Sequence, residues 1–456
     1  MVWSTRLAIA SQLTVLSLGC LPTAIAGQEP VMRVLLAEAK QLRLRSDGTS
    51  PLQIVGLGAG KPVKVQAISA SLQSGQLTLE LMGSVKRRLQ LAPHQELRIN
   101  SNDPRGVWLG NRRYRGELRL RSKGKALQVV NHLGVETYLA SVVGSEMPVA
   151  WPEAALQAQA VAARTYALRQ IGKSGPYDVK ATVASQVYLG LESVTASTQQ
   201  AVRSTRSLVL VHGGKLIDAV YHSSSGGATE ASGAVWRNQL PYLVSVPAHD
   251  EHSPVHQWTE QFDHNQLRNV FRETGGVKSI NAVRTSSTGR VKQAKIHGPS
   301  GSLVVSGREL RRRLGLKSTM IRFEMLTANS EIPSSKPRGA FQNPPPALQG
   351  FWHDSASGQR ISVANKPTKS KRPTPLLRHR SVGPTKHAEA VLMIHGQGNG
   401  HGVGMSQWGA HGLAEKGADF RQILMHYYRG AEIRPYRQLQ NPALVQRLPI
   451  APLWVS

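Results

Sequence analysis

Cysteine is nearly absent from this chain, whose 456 residues include one, Cys20. If the N-terminal segment is removed after Ala26, no thiol remains, and disulfide bonds and thiolate zinc sites are excluded from the mature protein. Long apolar runs are also missing after that segment, so we expect no membrane-spanning helix. The mature protein is therefore not expected to be an integral membrane protein.

Acidic residues are scarce as well. The chain has 27 aspartates and glutamates against 56 lysines and arginines, which gives a formal net charge of +29. A chain with this balance associates with polyanions, which include nucleic acid, acidic cell-wall polymers and anionic membrane surfaces. Its length allows a sizeable core and two or three domains, so there is room for an enzyme.

The N-terminus selects among these partners. Residues 1–26 contain Arg6, an apolar run from Leu7 to Leu18 and an Ala24-Ile25-Ala26 site, which is the pattern of a secretory signal peptide. The apolar run is too short to span a bilayer. We expect export to the periplasm or cell wall, where the positive charge meets a wall polymer rather than nucleic acid.

Two alternatives remain for the same segment. One is a membrane anchor that is not cleaved. The other is a lipoprotein, because Ser17-Leu18-Gly19-Cys20 loosely resembles a lipobox, with Ser17 where leucine is usual. We expect cleavage after Ala26 rather than either alternative.

Strand-like patterns dominate the first part of the chain. Between Val31 and Val130, alternating or β-branched runs such as LQIVGLG, QLTLELM and ELRLRS are separated by turn residues, as in a series of β-strands. We predict a β-rich part at 27–130 and a mixed core at 131–326. Together they form a domain of the α+β class.

A central helix is predicted after this β-rich part. Proline suits the first helical position and glycine the C-terminal cap, so the helix should begin at Trp151-Pro152 and end near Gly172. Glu146 is expected in the loop before it. An apolar stripe at steps of three or four residues indicates a core helix, and consists of Leu156, Ala160, Ala163, Ala167 and Ile171.

The remaining chain alternates between ordered and low-complexity composition. A second helix is predicted near 198–205, followed by a hairpin that turns at Gly213-Gly214. Residues 327–390 are rich in proline, lysine, arginine and serine, and we predict a disordered basic insertion that would hold the protein on anionic wall material. The domain resumes at 391–437 with a strand, a glycine-rich loop and helices, before a tail at 438–456.

Three short islands resist a purely structural explanation. They are GSEMP at 144–148 with Trp151-Pro152, YHSSSGG at 221–227 and GNGHGVGMSQWGA at 398–410. Each surrounds one or two polar groups and an aromatic side chain with small residues. That composition suits a groove whose backbone admits a bulky ligand.

These islands, with YRGELRL, WPEAALQAQAVAARTYAL, QVYLG and GRELRRRLGLKST, resemble the SpoIID/LytB family of bacterial cell-wall proteins. The resemblance runs from about Tyr114 to Ile433 and is interrupted by the insertion. It implies that Glu146 matches the catalytic glutamate of the sporulation members. These are lytic transglycosylases that cut between N-acetylmuramic acid and N-acetylglucosamine, leave a 1,6-anhydro end, and act on strands stripped of stem peptides. The LytB branch implies instead an enhancer of an N-acetylmuramoyl-L-alanine amidase.

One glutamate is enough for that reaction. Ordinary glycosidases use two carboxylates, but here the C6 hydroxyl of the sugar replaces water, so one carboxyl serves as acid and then as base. Met147 and Trp151 favour the raised pKa that the acid step needs, whereas the start of the next helix favours the charged form. From the residues alone, stabilising that helix start is the simpler role for Glu146. Glu153 already offers the same help, and the resemblance favours catalysis.

The other islands and the central helix are predicted to supply the groove that binds the glycan. Three of its candidates have structural alternatives: His222 as a satisfied core histidine, Arg164 in a buried ion pair and Trp408 as a core aromatic. The candidate groove residues are His222, Ser223, Ser224, Arg164, Tyr166, His401, Gln407 and Trp408.

Metals and cofactors are not expected. Some family members bind zinc through cysteines that follow the histidine of the second island, but serines stand there in this chain, so we predict no metal site. The leading prediction is a secreted lytic transglycosylase that acts on peptidoglycan glycan strands. Its rivals are a non-catalytic amidase enhancer and a scaffold of a wall complex.

Overall fold

A computed structural model describes residues 29–326, except 49, 58–60, 74, 84, 85, 93, 94 and 174, together with residues 391–439. The predicted signal peptide with Cys20, the basic insertion and nearly all of the predicted tail lie outside these residues.

The β-rich part consists of two mostly antiparallel sheets. One has seven strands in the order β13-β1-β12-β11-β8-β3-β4 and the other has six in the order β10-β9-β2-β5-β6-β7. The strands are β1 Val31–Ala39, β2 Gln41–Arg45, β3 Leu52–Val55, β4 Val63–Val65, β5 Ala67–Gln73, β6 Gln76–Met82, β7 Arg87–Leu91, β8 Leu97–Asn100, β9 Val107–Leu109, β10 Arg112–Tyr114, β11 Glu117–Lys123, β12 Ala126–Gly134 and β13 Val179–Lys180.

Alternation along these strands sets their register. In β2, Leu42 and Leu44 are buried, whereas the residues on either side of each are exposed, because successive side chains of a strand point to opposite faces. Leucines of both sheets join one hydrophobic core. The predicted strand run QLTLELM coincides with β6, so the β-rich first part is confirmed.

Two buried helices follow β12 and carry the first island. Helix α1 spans Val135–Glu146 and α2 spans Glu153–Gln170, with Pro152 as the N-cap residue of α2 rather than its first helical residue. Gly144 lets α1 lie directly against the carbonyl of Ser193, which a Cβ atom would overlap. The predicted core helix is therefore confirmed, but Glu146 is the last residue of α1 and not part of a loop.

The later helices are mostly short. They are α3 Ala196–Ser204, α4 Ser232–Val235, α5 His264–Val270, α6 Gly307–Leu314, α7 Gln407–Glu415 and α8 Phe420–Tyr427, with 3-10 turns at Gly190–Ser193, Arg272–Thr274 and Tyr436–Gln438. Helix α3 is the second predicted helix. It begins with a capping box, in which Thr195 and Thr198 satisfy each other's backbone amides.

Four small sheets complete the described fold. Their orders are β15-β14-β24, β16-β23, β17-β22-β21 and β18-β19-β20. The strands are β14 Leu208–His212, β15 Lys215–Leu216, β16 Tyr221–His222, β17 Gln257–Phe262, β18 Ser279–Thr285, β19 Val291–Gly298, β20 Gly301–Ser306, β21 Met320–Leu326, β22 Val391–Gln397, β23 Met405–Ser406 and β24 Glu432–Pro435.

The segment 391–439 joins two hydrophobic cores. Its first strand, β22, pairs with β17 and β21 beside a second core that includes Phe271 and Ile296. It then returns to the main core, where β23 pairs in parallel with β16 and β24 pairs with β14. The architecture is α+β, as predicted. Within the described residues, no helix has the length and apolar character needed to cross a membrane.

Candidate active site

Glu146 lies where the first and third islands meet. Its Oε1 accepts a hydrogen bond from the backbone N–H of Val187 at 2.8 Å, and its Oε2 accepts one from Nε2 of Gln407 at 3.4 Å. The carboxyl group is partly buried, and the neighbouring Met147 is fully buried. Side chains that are 261 positions apart in the sequence therefore form one polar centre.

The surroundings of Glu146 favour its protonated form. Burial raises the pKa of this carboxyl to about 7, although the hydrogen bonds from Val187 and Gln407 act in the opposite direction. Glu146 also ends α1, and the negative end of a helix dipole disfavours a carboxylate. The sequence led us to expect that the start of the next helix would favour the carboxylate. The end of α1, to which Glu146 belongs, has the opposite effect. The apolar influence expected from Met147 prevails.

Three tyrosines surround this carboxyl. For Tyr138, Tyr166 and Tyr221, burial comes first among the causes that raise the pKa, and the negative charge of Glu146 raises it further. The three phenols therefore stay protonated at neutral pH. Gln186 joins two of them, because its side chain accepts from Tyr138 Oη at 3.0 Å and donates to Tyr221 Oη at 3.0 Å.

Of the predicted groove residues, Gln407, Trp408 and Tyr166 lie at this centre. Gln407 contacts Glu146 directly, and Tyr166 lies within its electrostatic reach. Trp408 is partly exposed, and its ring centroid is 4.7 Å from that of Trp151. The first and third islands thus combine an acid, a buried amide and a partly exposed indole, and α2 adds the phenol of Tyr166.

The second island forms the support of this surface. His222 is buried, with Nδ1 3.1 Å from the carbonyl of Val403 and Nε2 2.7 Å from Oγ of Ser225. Burial lowers its pKa well below the usual range, so the ring is neutral. Both ring nitrogens therefore have hydrogen-bond partners, as expected for the alternative in which His222 is a satisfied core histidine. Within the described residues, no group of three or more histidine, cysteine, aspartate or glutamate side chains is arranged to hold a metal ion.

Ser223 and Ser224 are also buried. The carbonyl of Ser223 accepts from the backbone N–H of Trp408 at 3.0 Å, so this serine supports the third island. Ser224 donates from Oγ to Oδ2 of Asp250 at 2.8 Å. His222, Ser223 and Ser224 are therefore buried residues beneath the third island, and their side chains are not exposed.

Asp250 is the hub of that support, although sequence reasoning did not single it out. Besides Ser224, its carboxylate accepts from the backbone N–H groups of Ser225, Gly226 and Gly227, and from Oγ of Ser406. Burial favours a raised pKa, but these hydrogen bonds outweigh it and the pKa of Asp250 is lowered. The charged aspartate fixes the SSSGG turn against β23.

His401 and Arg164 take different positions. His401 is partly exposed, and burial lowers its pKa to about 4, helped by Arg311 and Arg290. Its ring centroid is 5.3 Å from those of His222 and Trp236, so it packs against the histidine of the second island.

Arg164 is wrongly placed in the groove by the sequence prediction. Its side chain is inaccessible, and Nη2 is 2.6 Å from Oε2 of Glu136. A guanidinium in this position needs a buried partner because desolvation of an unpaired charge is costly. Nη1 also donates to the carbonyl of Leu208 at 3.1 Å. The buried ion-pair alternative is therefore the one found.

Sequence comparisons relate this chain to known proteins. A family model described as SpoIID, Stage II sporulation protein, matches residues 123–212. An uncharacterised protein of Brachyspira hyodysenteriae is 32% identical over 339 residues, which cover 74% of this chain and 76% of that protein.

Two relatives from Bacillus subtilis carry functional names. The amidase enhancer is 31% identical over 311 residues, which cover 65% of this chain but 40% of the enhancer. Stage II sporulation protein D is 26% identical over 328 residues, which cover 68% of this chain and 76% of that protein. The chain belongs to the SpoIID/LytB family, and its role concerns the bacterial cell wall.

Proposed function

We propose that this protein is a secreted peptidoglycan lytic transglycosylase. It would cleave the bond between N-acetylmuramic acid and N-acetylglucosamine and leave a 1,6-anhydro end. The observation that carries the proposal is the pKa of Glu146, raised to about 7 by burial. A carboxyl group with this pKa holds a proton at neutral pH and also accepts one back, which suits a group that is acid and base in turn.

The reaction uses that property twice. The carboxyl of Glu146 first donates its proton to the glycosidic oxygen while the bond from muramyl C1 to that oxygen breaks. The carboxylate then takes the proton of the muramyl C6 hydroxyl, whose oxygen bonds to C1 and closes the anhydro ring. Glu146 ends in its starting form and no water is consumed.

A single carboxylate is consistent with the surroundings of Glu146. In the described part of the chain, the groups that set its pKa are Val187 and Gln407 together with burial, and none is a second carboxylate. Hydrolytic glycosidases need such a partner to act as nucleophile or to activate water. The neutral phenols and the amide near Glu146 cannot take that role, so the C6 hydroxyl of the sugar is the proposed attacking group.

The groove residues then take separate roles. Gln407 orients the carboxyl through Oε2, Trp408 offers an indole for stacking on a sugar face, and Tyr166 adds a neutral phenol within the electrostatic reach of Glu146. His222, Ser223, Ser224 and His401 fix the shape of the groove. Glycan strands stripped of stem peptides are the proposed substrate, and the protein would act without a cofactor.

Product chemistry tests this proposal. Purified glycan strands, with and without stem peptides, are incubated with the mature protein and with Glu146→Gln, and the ends are identified by mass spectrometry. We expect 1,6-anhydro ends from the native protein and none from the variant. Hydrolysed ends, or equal cleavage by the variant, would contradict the proposed mechanism.

An amidase enhancer is the second candidate. The observation in its favour is the 31% identity with a relative that carries this name. If neither strand preparation is cut, we expect the protein to raise the rate of an N-acetylmuramoyl-L-alanine amidase on whole sacculi. In that case Glu146→Gln should enhance as well as the native protein, because no proton transfer is involved.

A further inference from the structure

The two oxygens of Glu146 accept hydrogen bonds from two different parts of the chain. On the Oε2 side, Gln407 is followed directly by Trp408. On the Oε1 side, Val187 lies close in sequence to Ser185, whose side chain is hydrogen-bonded to Tyr166. A glycan strand that crosses this carboxyl would place the sugars on the two sides of the scissile bond against different surfaces of the protein.

The surface on the Oε2 side is an aromatic rim, formed by Trp151, Trp408, His252 and His411. Trp151 lies 4.7 Å from Trp408 and 4.8 Å from His411, measured between ring centroids. Nε2 of His252 and Nδ1 of His411 are 2.9 Å apart and share a hydrogen bond. All four side chains are at least partly exposed, so their rings are available to a ligand.

This rim suits an uncharged sugar. None of its four members is a lysine, an arginine or a carboxylate, and burial together with His252 lowers the pKa of His411. The exposed Glu415, whose Oε1 is 3.9 Å from Nε2 of His411, acts on that pKa in the opposite direction. Indole rings stack on the C–H faces of sugars, and imidazoles bond hydroxyl or acetamido groups. N-acetylglucosamine has no carboxylate and matches this chemistry.

The rim is held in place by its neighbours. Gly409 and Gly412 of α7 lie against the carbonyls of Ala248 and His249, positions that a Cβ atom would overlap. The loop that carries His252 therefore packs directly on the helix that carries Trp408 and His411. The rings are set before a ligand arrives, which lowers the entropy cost of binding.

The surface on the Oε1 side is a basic flank, formed by Arg169 and Lys173. Tyr166 lies on the same helix, three residues before Arg169, and its side chain is hydrogen-bonded to that of Ser185, two residues before Val187. Nε of Arg169 is 3.7 Å from Oδ1 of Asp218, and both side chains are about one-third exposed, at 34% and 33%. Lys173 is exposed. Two cations against one carboxylate leave a positive surface for an anionic group.

We propose that this asymmetry fixes the direction of the glycan strand, with N-acetylglucosamine on the aromatic rim and the lactyl carboxylate of N-acetylmuramic acid toward the basic flank. This inference rests on the proposed function, because it assumes that the strand crosses Glu146. The sugar on the rim is then the leaving group, and the strand runs from the basic flank to the rim toward its reducing end.

Binding measurements in the Glu146→Gln protein test the two surfaces separately, since that variant prevents turnover. The probes are a neutral N-acetylglucosamine tetrasaccharide and a tetrasaccharide that alternates with N-acetylmuramic acid. We expect His252→Ala and Trp151→Ala to weaken both probes about fivefold. Lys173→Ala should weaken only the muramyl probe, about two- to fivefold, and added salt should reduce that difference.

Matched controls are available on the second core. His297 and Lys295 are exposed on β19, so His297→Ala and Lys295→Ala should change neither affinity. Unchanged melting temperatures separate lost contacts from lost folding. Equal losses for both probes in Lys173→Ala, or no loss in either rim variant, would overturn the assignment of the surfaces.

Direction is tested with a nitroxide label and fluorine-labelled tryptophan. A label at the reducing end should broaden the signals of Trp151 and Trp408, assigned with Trp→Phe variants, and a label at the other end should not. The reverse pattern would overturn the proposed direction. Both experiments measure binding without cleavage, so a protein that binds with this direction but does not cut would contradict the proposed function alone.

Discussion

Gln407 donates a hydrogen bond to Glu146 from a position that follows the whole basic insertion, 261 residues further along the chain. The carboxyl ends α1, whereas the amide begins α7. Because α7 is held by the second island and Asp250, the site depends on the return of segment 391–439 to the main core. The acid and the residue that orients it are therefore brought together by tertiary structure.

The pKa of Glu146 predicts the pH dependence of cleavage. The first step needs the protonated carboxyl, and burial raises its pKa to about 7. We expect kcat/KM to be constant on the acid side of this value and to fall about tenfold per pH unit above it. Initial rates of release of anhydro ends between about pH 5 and pH 9 would measure this limb. An alkaline limb centred near pH 4.5, the ordinary value for glutamate, would contradict the assignment.

Removing the amide of Gln407 should move this limb to higher pH. Its hydrogen bond lowers the pKa of Glu146, so the loss leaves burial less opposed. In Gln407→Leu we expect kcat/KM at pH 6 to fall about threefold through poorer orientation, while the alkaline midpoint rises. Gln261→Leu is a suitable control, because Gln261 is exposed on β17. A midpoint that falls in Gln407→Leu would show that the amide is not a stabilising donor to the carboxylate.

Glu146 should also reduce the stability of the protein at alkaline pH. Between pH 4.5 and about 7 the unfolded chain has released the proton that the folded chain still holds, so the free energy of unfolding decreases as pH rises through this window. Glu146→Gln removes this dependence. We expect the variant to be more stable than the native protein by up to roughly 3 kcal/mol at pH 8, with no such gain below about pH 4.5.

Denaturant titrations at several pH values would measure this difference. The partial exposure of the carboxyl reduces the gain, because solvent screens part of the penalty. Equal stability of the two proteins at pH 8, or a gain that grows toward low pH, would contradict the raised pKa.

The helix boundaries show what could be predicted from the sequence and what could not. Helix α2 ends before Gly172, whose φ is 79°, and its start follows Pro152, so local capping patterns were sufficient. Helix α1 was missed because nine of its 12 residues are buried, which removes the polar face that creates helical periodicity.

The supporting residues of the site were hidden for a different reason. Asp250 bonds serines and glycines about 25 positions earlier and Ser406 156 positions later, and no local spacing records such contacts. The serines around His222 suggested a ligand surface, but their polarity serves this buried carboxylate. The block QVYLG was quoted from the sequence without roles being assigned to its residues. In the structure, Gln186 bonds Tyr221 and Val187 bonds Glu146. Their roles became evident only from the fold.

Asp250 should be more important for folding than for chemistry. Asp250→Ala leaves several buried donors without an acceptor, and we expect a loss of about 3–5 kcal/mol in the free energy of unfolding. The neighbouring Glu251 is exposed, so Glu251→Ala should cost less than about 0.5 kcal/mol. Urea denaturation of the two variants compares them directly. Since the pKa of Asp250 is lowered, its contribution should be lost as pH falls through the folded value.

The Arg164–Glu136 pair permits a double-mutant test of why Arg164 lies inside the protein. Nε and Nη2 of Arg164 both donate to the carboxylate, at 3.1 and 2.6 Å. Arg164→Met leaves Glu136 buried without its partner, and we expect a loss of about 3–5 kcal/mol. Arg164→Met combined with Glu136→Gln should lose less than the single variant, because no unpaired charge remains. If Arg164 instead bound the glycan, Arg164→Met would keep the native stability and weaken binding of the neutral tetrasaccharide. Melting temperatures and affinities of the same protein samples distinguish these outcomes.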